Sequence, residues 1–369
     1  MKLVIVKKRN NTMHSIIAVA IFFLVSSCGE KNTKTTHNNM RELSHHEQLI
    51  KQQNDDLLNG YSKAVCYSGF RSGQHPDRGD GAKNPSYEEI LEDLRIISNV
   101  AGFKMIRIYD CSSNSEMILS IIKEHKIDIK VMLGIWLRAE LSNHNTCSWL
   151  NSPIPDDVLA SNKKLNLGEV QLGIELANLY KDEVIAVNIG NEALVDWNDH
   201  KVDTDTIISY VEMVSASIEQ PVTVAENYKW WADHGYELSK VVDFVSIHLY
   251  PIWEGRNINQ GLSYSIDNVL EVRNKLPNAK IVVAEAGWPS VSSEFGDIAS
   301  ENNQDRYYEE FMTWCAEMNI TTFWFEAFDE DWKGNPNDMM GAEKHWGLYT
   351  VDRTPKLVMR QFQEQYKVK

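Results

Sequence analysis

Cysteine, basic charge and long apolar runs are all scarce in this chain, and each scarcity removes a class of function. Only five cysteines occur among 369 residues: Cys28, Cys66, Cys111, Cys147 and Cys315. None belongs to a CxxC pair, and the eleven histidines contain no HExxH or similar spacing. Neither a structural zinc site nor a helical metalloprotease site is expected, and no metal or organic cofactor is called for. Lysine and arginine number 37 against 52 aspartates and glutamates, a formal charge of −15. No basic cluster in the body of the chain offsets that field, which repels nucleic acid and anionic membrane surfaces and suits a neutral or cationic partner. A strand-end lysine and a glycine-rich phosphate loop are also missing, which disfavours a barrel lyase or aldolase.

The apolar stretch Ile16 to Val25 is well short of the roughly 20 residues needed to span a bilayer. It follows Lys7, Lys8 and Arg9 and runs into Ser26-Ser27-Cys28. A basic start, an apolar run and small residues before a cysteine resemble a bacterial lipoprotein signal. The expected organisation is a signal peptide over 1–28 with Cys28 as the lipidated residue, a polar tether over 29–60, and one domain over 61–369. That makes the protein an exported, membrane-anchored lipoprotein. Export permits a disulfide; Cys111 with Cys147 is the best-placed pair, with free or buried thiols as the alternative.

What the chain does have is 43% hydrophobic and 24% charged residues, enough for a large soluble core. From Tyr61 onward, short β-rich runs alternate with amphipathic helical stretches. Eight runs can be placed: 64–68, 103–110, 127–137, 184–192, 221–226, 242–250, 280–285 and 322–328. Helices are expected over 86–97, 115–124, 167–180, 206–218, 266–274, 304–318 and 354–365, with a weaker one near 230–238. Eight strands alternating with helices give an α/β fold, a single-domain (β/α)8 TIM barrel. A monomer is expected.

Side chains alternate faces along a strand, so parity sorts the barrel interior from the helix side. Arg107 and Tyr109 oppose Ile106 and Ile108. Asn188 and Glu192 oppose Ile185, Val187 and Ile189, and Ser246, His248 and Tyr250 oppose Val245, Ile247 and Leu249. In the seventh run Glu285 shares its parity with Ile281 and Val283. Polar residues gather toward the strand C-termini, the end where this fold keeps its active site.

Glu192 and Glu285 end the fourth and seventh runs. Two carboxyls facing each other across a pocket are what glycosidic bond cleavage requires: one protonates the leaving oxygen, the other attacks or activates water. The bland alternative is a pair of buried glutamates in ion pairs with residues such as Arg107. Asn191 is suited to a sugar hydroxyl. Tyr109 and Tyr250 could hold a carboxylate, hold the sugar, or simply pack, and His248 is read as a structural or sugar-contacting residue. The stretch Trp324 to Lys333 mixes aromatic and charged residues and reads equally as a sugar platform or as a core strand entering an acidic loop.

With these residues in place, the chain resembles glycoside hydrolase family 17, whose members act on β-1,3-glucans. The resemblance rests on Arg107-Ile108-Tyr109-Asp110, Gly190-Asn191-Glu192, Ser246 to Pro251, Glu285-Ala286-Gly287-Trp288-Pro289-Ser290, Phe325 to Glu330 and His345-Trp346-Gly347-Leu348. It implies a retaining mechanism with Glu192 as acid/base and Glu285 as nucleophile, and a neutral β-glucan as partner. It also implies sugar-binding or site-arranging roles for Glu330 and Lys333, and nominates Trp288 and Phe328 as ring faces. A transglycosylase and an inactive surface glycan-binding lipoprotein are the rival readings. Ala286 departs from the threonine many relatives carry after the nucleophile.

Replacing Cys28 with alanine is expected to move the protein from the membrane to the soluble fraction of a bacterial host and to abolish palmitate labelling. Unchanged labelling would overturn the lipidation reading.

Overall fold

The computed structural model of the protein describes residues 43–53, 58 and 63–360. The signal segment, Cys28 and the first part of the expected tether lie outside the described residues, as does the end of the helix expected over 354–365.

Eight parallel strands close into a barrel in sequence order: β1 (Lys63–Cys66), β2 (Met105–Arg107), β3 (Lys130–Ile135), β4 (Val184–Asn191), β5 (Val222–Asn227), β6 (Val245–Leu249), β7 (Ile281–Ala286) and β8 (Thr322–Trp324). β8 pairs back onto β1. The helices are α1 (His45–Ile50), α2 (Tyr87–Arg95), α3 (Ser113–His125), α4 (Asp156–Leu179), α5 (Thr204–Ser215), α6 (Tyr228–His234), α7 (Ile258–Lys275) and α8 (Glu301–Met318). This is the (β/α)8 barrel the alternation predicts. β7 is buried along its whole length, as a strand must be when packed side chains fill the barrel on one face and helices cover the other.

Local chemistry starts the helices. Ser86 accepts from the Glu89 backbone N–H at 3.3 Å while the Glu89 carboxylate accepts from the Ser86 N–H at 2.8 Å. Asn257 and Gln260 form the same reciprocal cap on α7, satisfying amides that a helix start otherwise leaves unpaired. Two helices begin earlier than their apolar periodicity suggests, α4 at Asp156 and α7 at Ile258. In α4 the cause is tertiary: the buried Asn166 side chain accepts from the Arg138 N–H at 2.8 Å and donates to the Arg138 carbonyl at 2.9 Å. Such anchoring leaves no hydrophobic repeat to read.

The tether expected to run to residue 60 is folded where it is described. Ile50 is buried, and the Gln52 amide donates to the Ile281 carbonyl at 2.8 Å and accepts from the Ile281 N–H at 2.7 Å. Asn319 donates to the Gln52 carbonyl at 2.7 Å. Residues 43–53 thus clasp the N-terminal end of β7, held by amide hydrogen bonds rather than by an apolar stripe. Cys66, Cys111, Cys147 and Cys315 are free and buried, so the candidate Cys111–Cys147 disulfide is not formed. The Cys111 thiol instead donates to the Gly134 carbonyl at 3.3 Å. Burial pushes the Cys66 thiol up to about 12, far from thiolate chemistry.

Asp93 of α2 ties the seam where β1 meets β8. Its carboxylate accepts from Arg353 Nε at 2.8 Å and from the second Arg353 nitrogen at 2.6 Å, from Arg71 at 2.8 Å and from the Tyr67 hydroxyl at 3.2 Å. Removing it strands a buried guanidinium. Asp93→Ala is expected to destabilise the domain by about 3–5 kcal/mol, measured as a fall in the urea midpoint with an unchanged slope; a loss below about 0.5 kcal/mol, the scale of an ordinary surface substitution, would overturn the assignment.

Candidate active site

The C-terminal end of the barrel is organised around Arg107, which is fully buried on β2. One guanidinium nitrogen donates to Glu285 Oε1 at 2.7 Å and to the Ala284 carbonyl at 3.1 Å. The other donates to Asn191 Oδ1 at 2.5 Å. Because arginine can only donate, this contact turns the Asn191 Nδ2 amide away from it, free to donate to a bound molecule.

Glu285, on β7, is 5% exposed yet held as an anion. Oε1 also accepts from the Tyr109 hydroxyl at 2.9 Å, and Oε2 accepts from the Tyr250 hydroxyl at 2.6 Å. Burial alone would raise its pKa, but His248 and Arg107 beside it and the two phenol donors outweigh that and hold the carboxyl below the usual glutamate range. Burial pushes both phenols well above the ordinary tyrosine value, and the Glu285 charge adds to it, so they remain protonated donors.

How Glu285 reaches this position differs from the parity reading. β6 and β7 pair Val245 with Ile281, Ser246 with Val282 and Ile247 with Val283, and then the register slips so that His248 faces Glu285. Ladder partners share a face, so the slip moves Glu285 off the side occupied by Ile281 and Val283 and onto that of Ser246 and His248. β4 carries a similar irregularity between Asn188 and Asn191. Gly190 has φ +75° and Glu192 has φ +47°, a left-handed turn that non-glycine residues seldom adopt. This lets both Asn191 and Glu192, neighbours in sequence, aim into the barrel mouth.

Glu192 is held at both oxygens. His248 Nδ1 lies 2.8 Å from Oε1, and Asn198 Nδ2 donates to Oε2 at 3.1 Å and to the Glu192 carbonyl at 3.1 Å. The same His248 nitrogen is 3.6 Å from Glu285 Oε2. One imidazole edge therefore touches both carboxylates. Behind Glu192, the fully buried Glu226 at the end of β5 accepts from the Leu194 N–H at 2.7 Å and pins the segment after the turn. Burial first, then the Glu192 charge, push the Glu226 carboxyl well up, so it stays neutral.

The segment after β8 adds a second ionic group. Lys333 lies 2.5 Å from Glu326 Oε2 and 2.9 Å from Glu330 Oε2, and its ammonium sits 4.4 Å from the centre of the Phe325 ring. The expected Glu330 is thus 98% covered and engaged with Lys333 rather than displayed. Glu343, half-buried nearby, is pushed up to about 7 by burial and by the charges of Glu285, Glu192 and Glu294, against the pull of Lys333.

Of the residues nominated from sequence, Tyr109, Asn191, Glu192, Tyr250 and Glu285 come together. Trp288 and Phe328 do not. Trp288 is fully buried, donates its indole N–H to the Ile298 carbonyl at 2.9 Å and packs on Tyr307. Phe328 is wedged between Tyr67 and Tyr349 with Arg353 over its face. Both ring faces are taken by protein. Rings that do reach the mouth belong to loops: Trp136 against His200, and the half-exposed Trp253 against Phe295. Sequence reading undervalued Arg107 and His248 and missed Glu226, Glu326, Asn198 and Glu343. Glu226 carries the same signal as the nominated pair, a glutamate closing a β-rich run. No group of three or more His, Cys, Asp or Glu side chains able to hold a metal ion occurs among the described residues.

Comparison with known proteins places the chain among glycoside hydrolases. The sequence profile of the BtgE/BtgC glycoside hydrolase domain matches residues 64–347. A glucan 1,3-beta-glucosidase of Arthroderma benhamiae is 25% identical over 305 residues, covering 78% of this chain and 88% of its own. A probable glucan endo-1,3-beta-glucosidase of Aspergillus terreus is 24% identical over 74% of this chain, which spans 41% of that longer protein. Among solved structures, an endo-laminarinase from Formosa superposes with a TM-score of 0.70 at 25% identity, covering 83% of this chain and 87% of that one. A Rhizomucor miehei beta-1,3-glucanosyltransferase, at 20% identity and a TM-score of 0.60 over 82% of this chain and 97% of its own, shares the fold.

Removing the Tyr250 hydroxyl should weaken the hold on the Glu285 charge. Tyr250→Phe is expected to move the Glu285 carboxyl titration upward, followed by carbon-13 NMR of labelled glutamate. The native anion contributes stability that is present above the ordinary glutamate range and is lost as pH falls through its lowered folded value. The variant should therefore lose its acid resistance at higher pH. An unmoved titration would overturn the role given to Tyr250.

Proposed function

The chain belongs to the BtgE/BtgC glycoside hydrolase family, and from that premise we propose that it cleaves β-1,3-glucosidic bonds of laminarin-type glucans by double displacement. The observation that carries the reading is the pair of strand-end carboxylates joined through one imidazole edge, with Glu285 kept ionised by Arg107, Tyr109 and Tyr250. The names of the relatives supply the substrate class. A neutral glucan also suits a chain whose charge of −15 would repel an anionic one.

In this mechanism Glu285 attacks the anomeric carbon while Glu192 gives its proton to the departing glucosyl oxygen. The carbon–oxygen bond breaks as the ester to Glu285 forms. Glu192, now a carboxylate, takes a proton from water, and the hydroxide displaces Glu285 with a second inversion. The Asn191 amide, oriented by Arg107, donates to the hydroxyl next to the reacting carbon as charge develops there. Trp136 and the half-exposed Trp253 replace Trp288 and Phe328 as the ring faces for flanking sugars. No metal or cofactor takes part. Lipidation at Cys28 would hold this domain at a membrane surface facing its glucan.

The test is reducing-sugar release from laminarin. Glu285→Ala and Glu192→Ala should each lower it by at least about 1,000-fold, and proton NMR of the first product should show the β-anomer; an unchanged rate in either variant, or an α-anomer, would overturn the mechanism. Sizing the products separates the remaining readings. A ladder of oligosaccharides means endo action, a single small product exo action, and chains longer than the substrate at high acceptor concentration mean transglycosylation.

A further inference from the structure

His248 lies fully buried at the centre of the site, and its two ring nitrogens face different partners. Nε2 is 3.2 Å from an Arg107 nitrogen, and Nδ1 is 2.8 Å from Glu192 Oε1. A guanidinium has no lone pair to offer, so Nε2 must accept. The ring proton therefore resides on Nδ1, directed at Glu192. Arg107 in turn cannot move, because Glu285, Asn191 and the Ala284 carbonyl hold it. The tautomer is thus set from the side of the barrel that holds the nucleophile.

We propose that His248 is the positioning residue that decides which oxygen of Glu192 carries the transferable proton. The inference rests on the acid/base reading of Glu192 given above. With a fixed N–H occupying Oε1, a proton there would meet another hydrogen head-on, so the acid carries its proton on Oε2. The contact at Oε2 is the weaker one, the 3.1 Å Asn198 amide that Glu192's own carbonyl shares. When the proton passes from Oε2 to the leaving oxygen, the His248 N–H remains to hold the new carboxylate. When water later attacks, its proton returns to Oε2. The imidazole proton itself does not move, and His248 acts through Glu192 rather than by exchanging a proton.

The charged and titratable groups around this pair are Arg107 from β2, Glu226 from β5, Glu285 from β7 and Glu343 from the segment after β8, with Cys66, Tyr109 and Tyr250 close to Glu285. The neighbour of His248 on β5 is the uncharged Asn227.

Two substitutions of similar size separate the two contacts in the full chain. His248→Asn can place its amide where Nδ1 stood and keep the donor to Glu192. His248→Gln can reach the Arg107 side but leaves Glu192 Oε1 without its donor. Each is assayed on laminarin oligosaccharides, whose sugar leaving group needs protonation, and on dinitrophenyl β-laminaribioside, whose phenolate leaves without it. His248→Gln is expected to lose about 100-fold in kcat/KM on the oligosaccharide, the scale of a general-acid contribution, and less than about 3-fold on the aryl substrate. His248→Asn should recover at least about tenfold of the oligosaccharide loss. Loss of the donor destabilises the Glu192 anion, so the alkaline limb of the pH–rate profile should also move to higher pH in His248→Gln and remain in place in His248→Asn. Equal losses on both substrates, or no recovery in His248→Asn, would overturn the proposal. A native chain inactive on both substrates would instead overturn the glycosidase reading on which it rests.

Discussion

The whole site depends on keeping Glu285 ionised in a place that water barely reaches. Burying a lone carboxylate is so unfavourable that the group would take up a proton instead. Arg107 prevents this, but a buried guanidinium brings its own desolvation cost and must have its donors satisfied. The chain answers with acceptors from three strands: Glu285 and Ala284 on β7, Asn191 on β4 and the Nε2 of His248 on β6. Holding the two terminal nitrogens of one buried cation therefore fixes the Glu285 carboxylate, the asparagine amide and the histidine tautomer together. They share one hydrogen-bond network around Arg107, which is why they are best understood as a single unit.

Bringing these side chains together at the barrel mouth demands departures from ideal strand geometry. A strict alternation would send Glu285 to the helix side with Ile281 and Val283, and would allow only one of Asn191 and Glu192 to face inward. The slip in β7 and the left-handed turn in β4 correct both. Glu192 itself occupies the strained conformation, and the strain is supported from below: Glu226 holds the Leu194 amide, and the Glu192 N–H bonds to the Ala225 carbonyl at 2.9 Å. Regular backbone defines the barrel; irregular backbone defines the site. The slip in β7 and the turn in β4 fall toward the strand C-termini that carry the site, while a further irregularity, between Val131 and Met132, lies at the opposite end of the barrel.

This division explains what the sequence discloses. Strands packed between the barrel interior and the helices produce short β-rich apolar runs, and all eight are visible as such. The strand-end glutamates stand out because they interrupt that pattern. What does not stand out is anything fixed by tertiary hydrogen bonds. Residues 43–53 read as polar linker because Gln52, not a hydrophobic stripe, anchors them. Trp288 and Phe328 lie within motifs rich in site residues, yet each is consumed by the core, and a motif does not say which of its members face inward. Glu226 was legible by the same rule as Glu192 and Glu285. Its role differs because its strand parity turns it beneath the β4 turn rather than into the mouth.

Three carboxyls close to one another at the ends of β4, β5 and β7, two of them buried, raise the question of how the site avoids mutual repulsion in so acidic a chain. The arrangement answers by giving each a different fate. Glu285 has a cation and three further polar groups, so it keeps its charge. Glu226 meets backbone N–H groups but takes part in no ion pair among the described residues, so burial and the neighbouring Glu192 keep it protonated. Glu192 lies between them, partly open to solvent, with an N–H at one oxygen and a shared amide at the other. A charged Glu226 would add a second buried anion behind Glu192 with no cation among the described residues to hold it. The two carboxyls proposed for catalysis can thus differ in charge because the third, Glu226, is fully buried and kept neutral.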